Sequence, residues 1–163
     1  MNGGLRNMND NYVEVAKKIA TEAHKGQHRW GGDPYITHPA AVAEKVKHLG
    51  PKYEATAWLH DVIEDCDYST STLLDAFINA GCLPLPYEVI NAVAILTKGK
   101  GYTSEVYLTY ILTVAKHPIA KAVKIADIEH NLSTSHPEKN KGIRDKWMMA
   151  KFILEEYNGS RYV

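Results

Sequence analysis

The sequence predicts an all-α fold of about seven to eight helices. Apolar residues recur at helical spacing nearly throughout, no stretch alternates with the period of two that a strand needs, and no repeat or long linker divides the chain. The first helix is YVEVAKKIATEAHK, with apolar or small residues at Val13, Ala16, Ala20 and Ala23, Asn9 or Asp10 as its N-cap and Gly26 as its stop. The loop GQHRWGGDPYIT follows, rich in glycine, broken by Pro34 and too polar for a strand. Pro39 suits the first turn of the second helix, PAAVAEKVKHL, which Gly50-Pro51 closes. A third helix starts near Lys52 and runs through His60. STSTLLDAFINAG reads as a short helix with a serine cap and Gly81 as its stop, and PLPYEVINAVAILTK as another. Thr103 opens the next, Pro118 begins PIAKAVKIADIEHNLS, and the last spans roughly Ile143 to Tyr157.

At 163 residues and 45% hydrophobic content, the chain suits a single domain, residues 1–163, with an ordinary core. Lysine plus arginine and aspartate plus glutamate number 19 each, which argues against a dedicated nucleic-acid binder but leaves room for a local basic pocket. The two cysteines, Cys66 and Cys82, form neither a disulfide framework nor a zinc cluster and read as reduced thiols. With no cationic-then-apolar leader and no apolar run near ~18 residues, the expectation is a cytoplasmic protein with no membrane contact.

The chemistry concentrates in TAWLHDVIEDCD, Thr56 to Asp67. On a continuous helix, His60 lies beneath Glu64 and Asp61 beneath Asp65, giving two adjacent polar rails without a lysine or arginine among them. Such groups repel one another unless something positive sits among them, and a metal ion meets that need. Asp127 is a further candidate ligand, on a largely apolar helix where an unpaired carboxylate is costly; a cap or a lysine partner is its plainer reading. Asn131 shares its face and His130 lies close to it. His38, before Pro39, reads alone as a surface residue or cap. Together, two imidazoles and two carboxylates without a thiolate suit Mn²⁺, Fe²⁺, Zn²⁺ or Mg²⁺ with positions left for water and a phosphate oxygen.

These residues match the His…His-Asp…Asp pattern of the HD-domain metal-dependent phosphohydrolases, and the flanking blocks resemble the RelA/SpoT-type hydrolase domain more closely. AHKGQHRWGGDPYITHPAAVA is similar to its A-H-x-x-Q-x-R-x-x-G-x-P-Y-x-x-H-P block, LHDVIED to L-H-D-V-x-E-D, LTKGKGYTSEVYL to its T-K segment and VKIADIEHNLST to V-K-L-A-D-x-x-H-N. The blocks keep their order from Ala23 to Thr134, about two-thirds of the chain. The resemblance implies an all-α HD domain in which His38, His60, Asp61 and Asp127 hold one divalent ion, usually Mn²⁺. It gives Glu64 and Asp65 the attacking water, sets Arg29 against a substrate phosphate, brings Asn131 and Thr134 to the nucleotide and has Tyr35 shape the pocket. Lys141, with Lys139 and Arg144, is a further expected diphosphate contact.

The implied activity is removal of pyrophosphate from the 3′ position of guanosine tetra- or pentaphosphate by a metal-activated water, in a stand-alone alarmone hydrolase too short for a synthetase domain. Two residues depart from the family pattern. Trp30 stands where a lysine is common, either packed in the core or loop or stacked on a base, and Ile128 where an arginine is common. Those departures leave open an HD-domain hydrolase for another nucleotide or phosphoester, and a regulatory module that binds a nucleotide without cleaving it is the third reading. His24 and His28, separated by Gly26, are expected to be solvated or loop histidines. The oligomeric state has no signal in the sequence.

Overall fold

The computed structural model describes residues 11–159 apart from 100 and 102. Among them the chain forms α1 (Asn11–Ala23), α2 (Thr37–Val46), α3 (Pro51–Leu59), α4 (Val62–Asp65), α5 (Thr70–Asn79), α6 (Tyr87–Leu96), α7 (Ser104–Ala115), α8 (Pro118–Thr134) and α9 (Lys141–Glu156). A 3-10 turn, Lys47–Leu49, extends α2. No strand occurs among the described residues; His28 and Pro34 form an isolated antiparallel bridge. The fold is all-α, as the periodicity requires. The expected cap of α1 at Asn9 or Asp10 lies outside the described residues.

Local chemistry explains most boundaries. Ser69 caps α5 by accepting from the Thr72 backbone N–H, while the Thr72 hydroxyl accepts from the Ser69 N–H. Thr103 accepts from the Val106 N–H at the start of α7, as its sequence position suggests. His117 caps α8 through Nδ1, ahead of Pro118. Gly50, at φ 119°, makes the turn from the 3-10 segment into α3.

The expected continuous helix through His60 is broken. α3 stops at Leu59, His60 and Asp61 form a turn, and α4 is a single turn, so the two halves count as separate elements. Asp61 has relaxed to φ −102° and ψ −5°, although the Asp65 N–H still bonds the Asp61 carbonyl at 2.8 Å.

α3 is the central element. Ala55, Thr56, Ala57, Trp58 and Leu59 are all buried, and the helix packs against α1, α2, α6 and α8. α8 packs on α2, α3, α6, α7 and α9, with Ile119, Ala120, Val123 and Ile128 in the core. Ile128 is fully buried, so position 128 faces the core rather than a substrate. Among the described residues, no helix is long and apolar enough to cross a membrane.

Candidate metal centre and its cleft

α2 contributes His38, the turn between α3 and α4 contributes His60 and Asp61, and α8 contributes Asp127. His38, His60 and Asp127 are buried, and each presents a ligand atom within 4.8 Å of the other two. Asp61 Oδ2 lies 3.0 Å from His60 Nε2 and 3.5 Å from His38 Nε2. Asp127 Oδ1 lies 3.1 Å from His38 Nε2 and 3.8 Å from His60 Nε2, and the two Nε2 atoms are 3.2 Å apart. Two ligands each about 2.1 Å from one ion stand roughly 3.0 Å apart at a right angle and roughly 3.4 Å apart at the tetrahedral angle. The two imidazole nitrogens stand at about that spacing from each other and from the Asp61 oxygen, and His38, His60 and Asp127 converge mutually, so the residues fit a divalent metal ion.

The outer hydrogen bonds orient both imidazoles. His60 Nδ1 donates to the Ala57 carbonyl at 2.7 Å, which turns Nε2 into the cluster. Arg29 Nη1 meets His130 Nδ1 at 3.3 Å, and a guanidinium only donates, so this nitrogen is an acceptor. His38 Nδ1, 2.7 Å from the same atom, therefore carries the hydrogen, and His38 Nε2 faces Asp61 and Asp127.

Asp127 has a separate partner for each oxygen. Lys124 Nζ donates to Oδ2 at 2.7 Å, and Asn131 Nδ2 donates to Oδ1 at 2.6 Å. Burial acts to raise the Asp127 pKa, but the adjacent Lys124 charge outweighs it and holds the carboxyl well below its ordinary value. Burial likewise works against a charge on His60; Asp61, Asp127 and the Ala57 carbonyl outweigh it and push its pKa up to about 9. His38 goes the other way, pulled below the usual histidine value chiefly by burial. An imidazole nitrogen must be free of its proton to hold a metal, so a metal ion competes at His60 with the proton that these carboxylates favour.

A cleft of about 300 Å³ opens beside this cluster and includes Glu64 and Asp65 in its wall. Glu64 is held by the Lys98 ammonium and, at 3.2 Å, by the Lys98 backbone N–H. The Tyr35 hydroxyl is 2.8 Å from Asp61 Oδ2 and 2.9 Å from Asp65 Oδ2, so its one hydrogen is shared between them. Burial and the charge of Asp61 raise the Asp65 pKa. Of the two expected rails, Asp61 and Asp65 stay together through Tyr35, whereas His60 turns to the ligand cluster and Glu64 to Lys98.

Among the expected substrate contacts, Arg29, Tyr35 and Asn131 line the cleft. Arg29 Nη2 donates to Asn131 Oδ1 at 3.1 Å and to the Thr134 hydroxyl at 3.0 Å, which gathers three of the named residues. Lys141 is not brought in: it is exposed, pairs with Asp145 at 3.4 Å and does not line the cleft. Arg144 is committed to the end of α8, donating to the Leu132 carbonyl at 2.6 Å and to Ser135, and Lys139 is exposed on the α8–α9 connection. Among the described residues, the lysines that line the cleft are Lys98, Lys124 and Lys146.

Two further expectations are corrected. Trp30 is not packed in the core: it is 59% exposed at the cleft rim, its ring 5.0 Å from the Arg29 guanidinium and 6.2 Å from Trp147. His24 is not solvated: it is buried, stacks on Tyr35 at 4.6 Å and bonds Gln27 Oε1 at 2.8 Å.

No family model matches the chain. It is 36% identical over 149 residues to guanosine-3′,5′-bis(diphosphate) 3′-pyrophosphohydrolase of Haemophilus influenzae, a match covering 85% of the chain and 20% of that protein. It is 34% identical over 150 residues to a GTP pyrophosphokinase of Streptomyces coelicolor, covering 89% and 17%. With the bifunctional (p)ppGpp synthase/hydrolase SpoT of Escherichia coli it shares 32% identity over 156 residues, covering 90% and 21%. The chain thus spans about a fifth of the length of the curated relatives it matches. A solved structure of a metazoan SpoT ortholog, described as hydrolysing ppGpp, superposes with a TM-score of 0.71 at 22% identity, covering 91% of this chain and 88% of that one, a likeness of fold. The chain is thus similar, over most of its own length, to a segment of RelA/SpoT-type enzymes, and it shares the all-α fold of the metazoan SpoT ortholog.

Proposed function

We propose that residues 1–163 form one HD-type hydrolase unit that removes pyrophosphate from the 3′ position of guanosine tetra- or pentaphosphate. The observation that carries this reading is the convergence of His38, His60, Asp61 and Asp127 beside a cleft containing Glu64, Asp65 and Arg29. Those four side chains hold one divalent ion, in this reading Mn²⁺; when bound it supplies Lewis acidity and lowers the pKa of a water. Relatives named for this reaction support the substrate class.

The chain's own residues divide the remaining work. Arg29, fixed by Asn131 and Thr134, binds a phosphate oxygen, and Lys98 and Lys146 add positive charge around the diphosphate. Water adds to the phosphorus attached to the 3′ oxygen, and the P–O3′ bond breaks. The water oxygen leaves in pyrophosphate, and GDP or GTP leaves with a 3′-hydroxyl. Glu64 and Asp65 orient the water and take its proton, while Tyr35 keeps the Asp65 carboxylate directed along the cleft. The exposed face of Trp30 stacks on the nucleobase. The partner is a small nucleotide rather than a nucleic acid, and the setting is cytoplasmic.

The exposed tryptophan also favours a second reading, in which the same chemistry acts on a different nucleotide. A hydrolysis panel separates the two. Fastest turnover of guanosine tetraphosphate supports the first; much faster turnover of another nucleotide replaces it with the second.

A further inference from the structure

Lys124 presents a problem that the ion pair itself does not explain. Its side chain is 11% exposed, its ammonium is 2.7 Å from Asp127 Oδ2, and it lines the cleft. Burying an ion pair gains little stability, and an apolar side chain of similar size often does as well. Nor does Asp127 require a lysine once a cation is bound, because the ion itself balances that carboxylate. A fixed ammonium on a ligand carboxylate then repels the ion. The residue weakens the very site it touches, and that cost calls for a compensating role.

Charge supplies one. With neutral imidazoles at His38 and His60, the carboxylates of Asp61 and Asp127 cancel the formal charge of a divalent ion, so the centre attracts a phosphate by coordination but adds no net charge of its own. Of the other charged groups on the cleft, Glu64 is matched by Lys98, and Asp65 opposes Arg29 and Lys146. Lys124 makes the loaded centre itself net positive, adding to the one positive charge by which Arg29 and Lys146 exceed Asp65 along the cleft. It also fixes geometry: with Oδ2 taken by Lys124 and one side of Oδ1 by Asn131, Asp127 can present only Oδ1 to the histidines.

We propose that Lys124 is a positioning and charge-setting residue: it restricts Asp127 to one ligating oxygen and keeps the loaded centre net positive toward an anionic diphosphate, at the expense of metal affinity. The inference rests on the metal-site reading above, but its readout is binding rather than turnover.

The test is calorimetry of Mn²⁺ on chelator-stripped protein, and of inorganic pyrophosphate on the Mn²⁺-loaded protein, for wild type, K124Q and K124R, each prepared by refolding with Mn²⁺. Both variants keep a donor for Asp127 Oδ2, and only K124R keeps the charge. K124Q is expected to bind Mn²⁺ about tenfold more tightly and pyrophosphate about tenfold more weakly, with K124R within about threefold of wild type in both. A purely structural lysine predicts instead that both affinities of K124Q fall together or stay unchanged, and either result overturns the proposal. K124Q that fails to fold with Mn²⁺ present also overturns it, because the ion should then replace the lysine as partner of Asp127. Wild-type protein that binds no Mn²⁺ overturns the metal-site reading and this inference with it.

Discussion

His38 Nδ1 lies 2.7 Å from His130 Nδ1, and this contact decides which nitrogen of His38 faces the ligand cluster. Removing the acceptor frees the ring to rotate or change tautomer. H130A is therefore expected to lower Mn²⁺ affinity about 10- to 100-fold, with helix content preserved, measured by calorimetry and circular dichroism. Unchanged affinity would show that His38 is oriented by other contacts.

Tyr35 links Asp61 to Asp65 by one shared hydrogen. Its bond to Asp65 favours the ionised carboxylate and so opposes the upward push of burial and of Asp61 on that pKa. In Y35F the opposing influence is gone and the Asp65 pKa rises further. A base must be ionised to accept a proton, so the acid limb of the kcat profile moves to higher pH. At neutral pH kcat falls on the order of tenfold, with KM little changed. A limb that stays in place would remove Asp65 from the base role.

Glu64 lines the cleft and is held by the Lys98 ammonium and backbone N–H. E64A is expected to lose about 10²- to 10⁴-fold in kcat while binding Mn²⁺ normally. Loss of metal instead would place Glu64 among the ligands.

Positions 30 and 128 make opposite predictions. W30A removes a side chain that is 59% exposed, so stability should hold within about 0.5 kcal/mol while KM rises roughly tenfold from lost base stacking. I128R restores the charge common in the family but places it in the core, at 0% exposure. It is expected to cost about 3–5 kcal/mol of unfolding free energy by denaturant titration without tightening substrate binding. A stable, tighter-binding I128R would show that the side chain reaches the cleft.

The candidate ligands and the helices were marked in the sequence in different ways. Apolar periodicity and the caps at Ser69 and Thr103 are local features, so they mark their helices directly. His38 and Asp127 each had a plainer reading alone; the combination with His60-Asp61 and its resemblance to the HD pattern drew them into one set, and their side chains do converge. The break at His60-Asp61 was not legible, because Thr56 to Asp67 contains no glycine or proline to mark it; the site's geometry, not propensity, shapes that turn. Lys141 and Lys146 lie five residues apart on α9, and composition could not say which reaches the cleft; packing of α9 on α7 and α8 turns Lys146 toward it and Lys141 toward Asp145. Lys124 did carry a signal, standing three residues before Asp127 on one helix, and the two readings of Asp127 turn out to be compatible: one oxygen meets a lysine and the other faces the histidines. His24 lies in the turn after α1, as a loop histidine would, but it is buried against Tyr35 rather than solvated, a long-range contact that its separation from His28 by Gly26 could not reveal.

The most direct test of the central claim is pyrophosphate release from guanosine tetraphosphate by Mn²⁺-loaded protein, before and after chelation and again after Mn²⁺ is restored. The four-ligand centre predicts release that chelation abolishes and Mn²⁺ recovers, and none from D127N under any of the three conditions. Full release from protein shown to be free of metal, or from D127N, would contradict it.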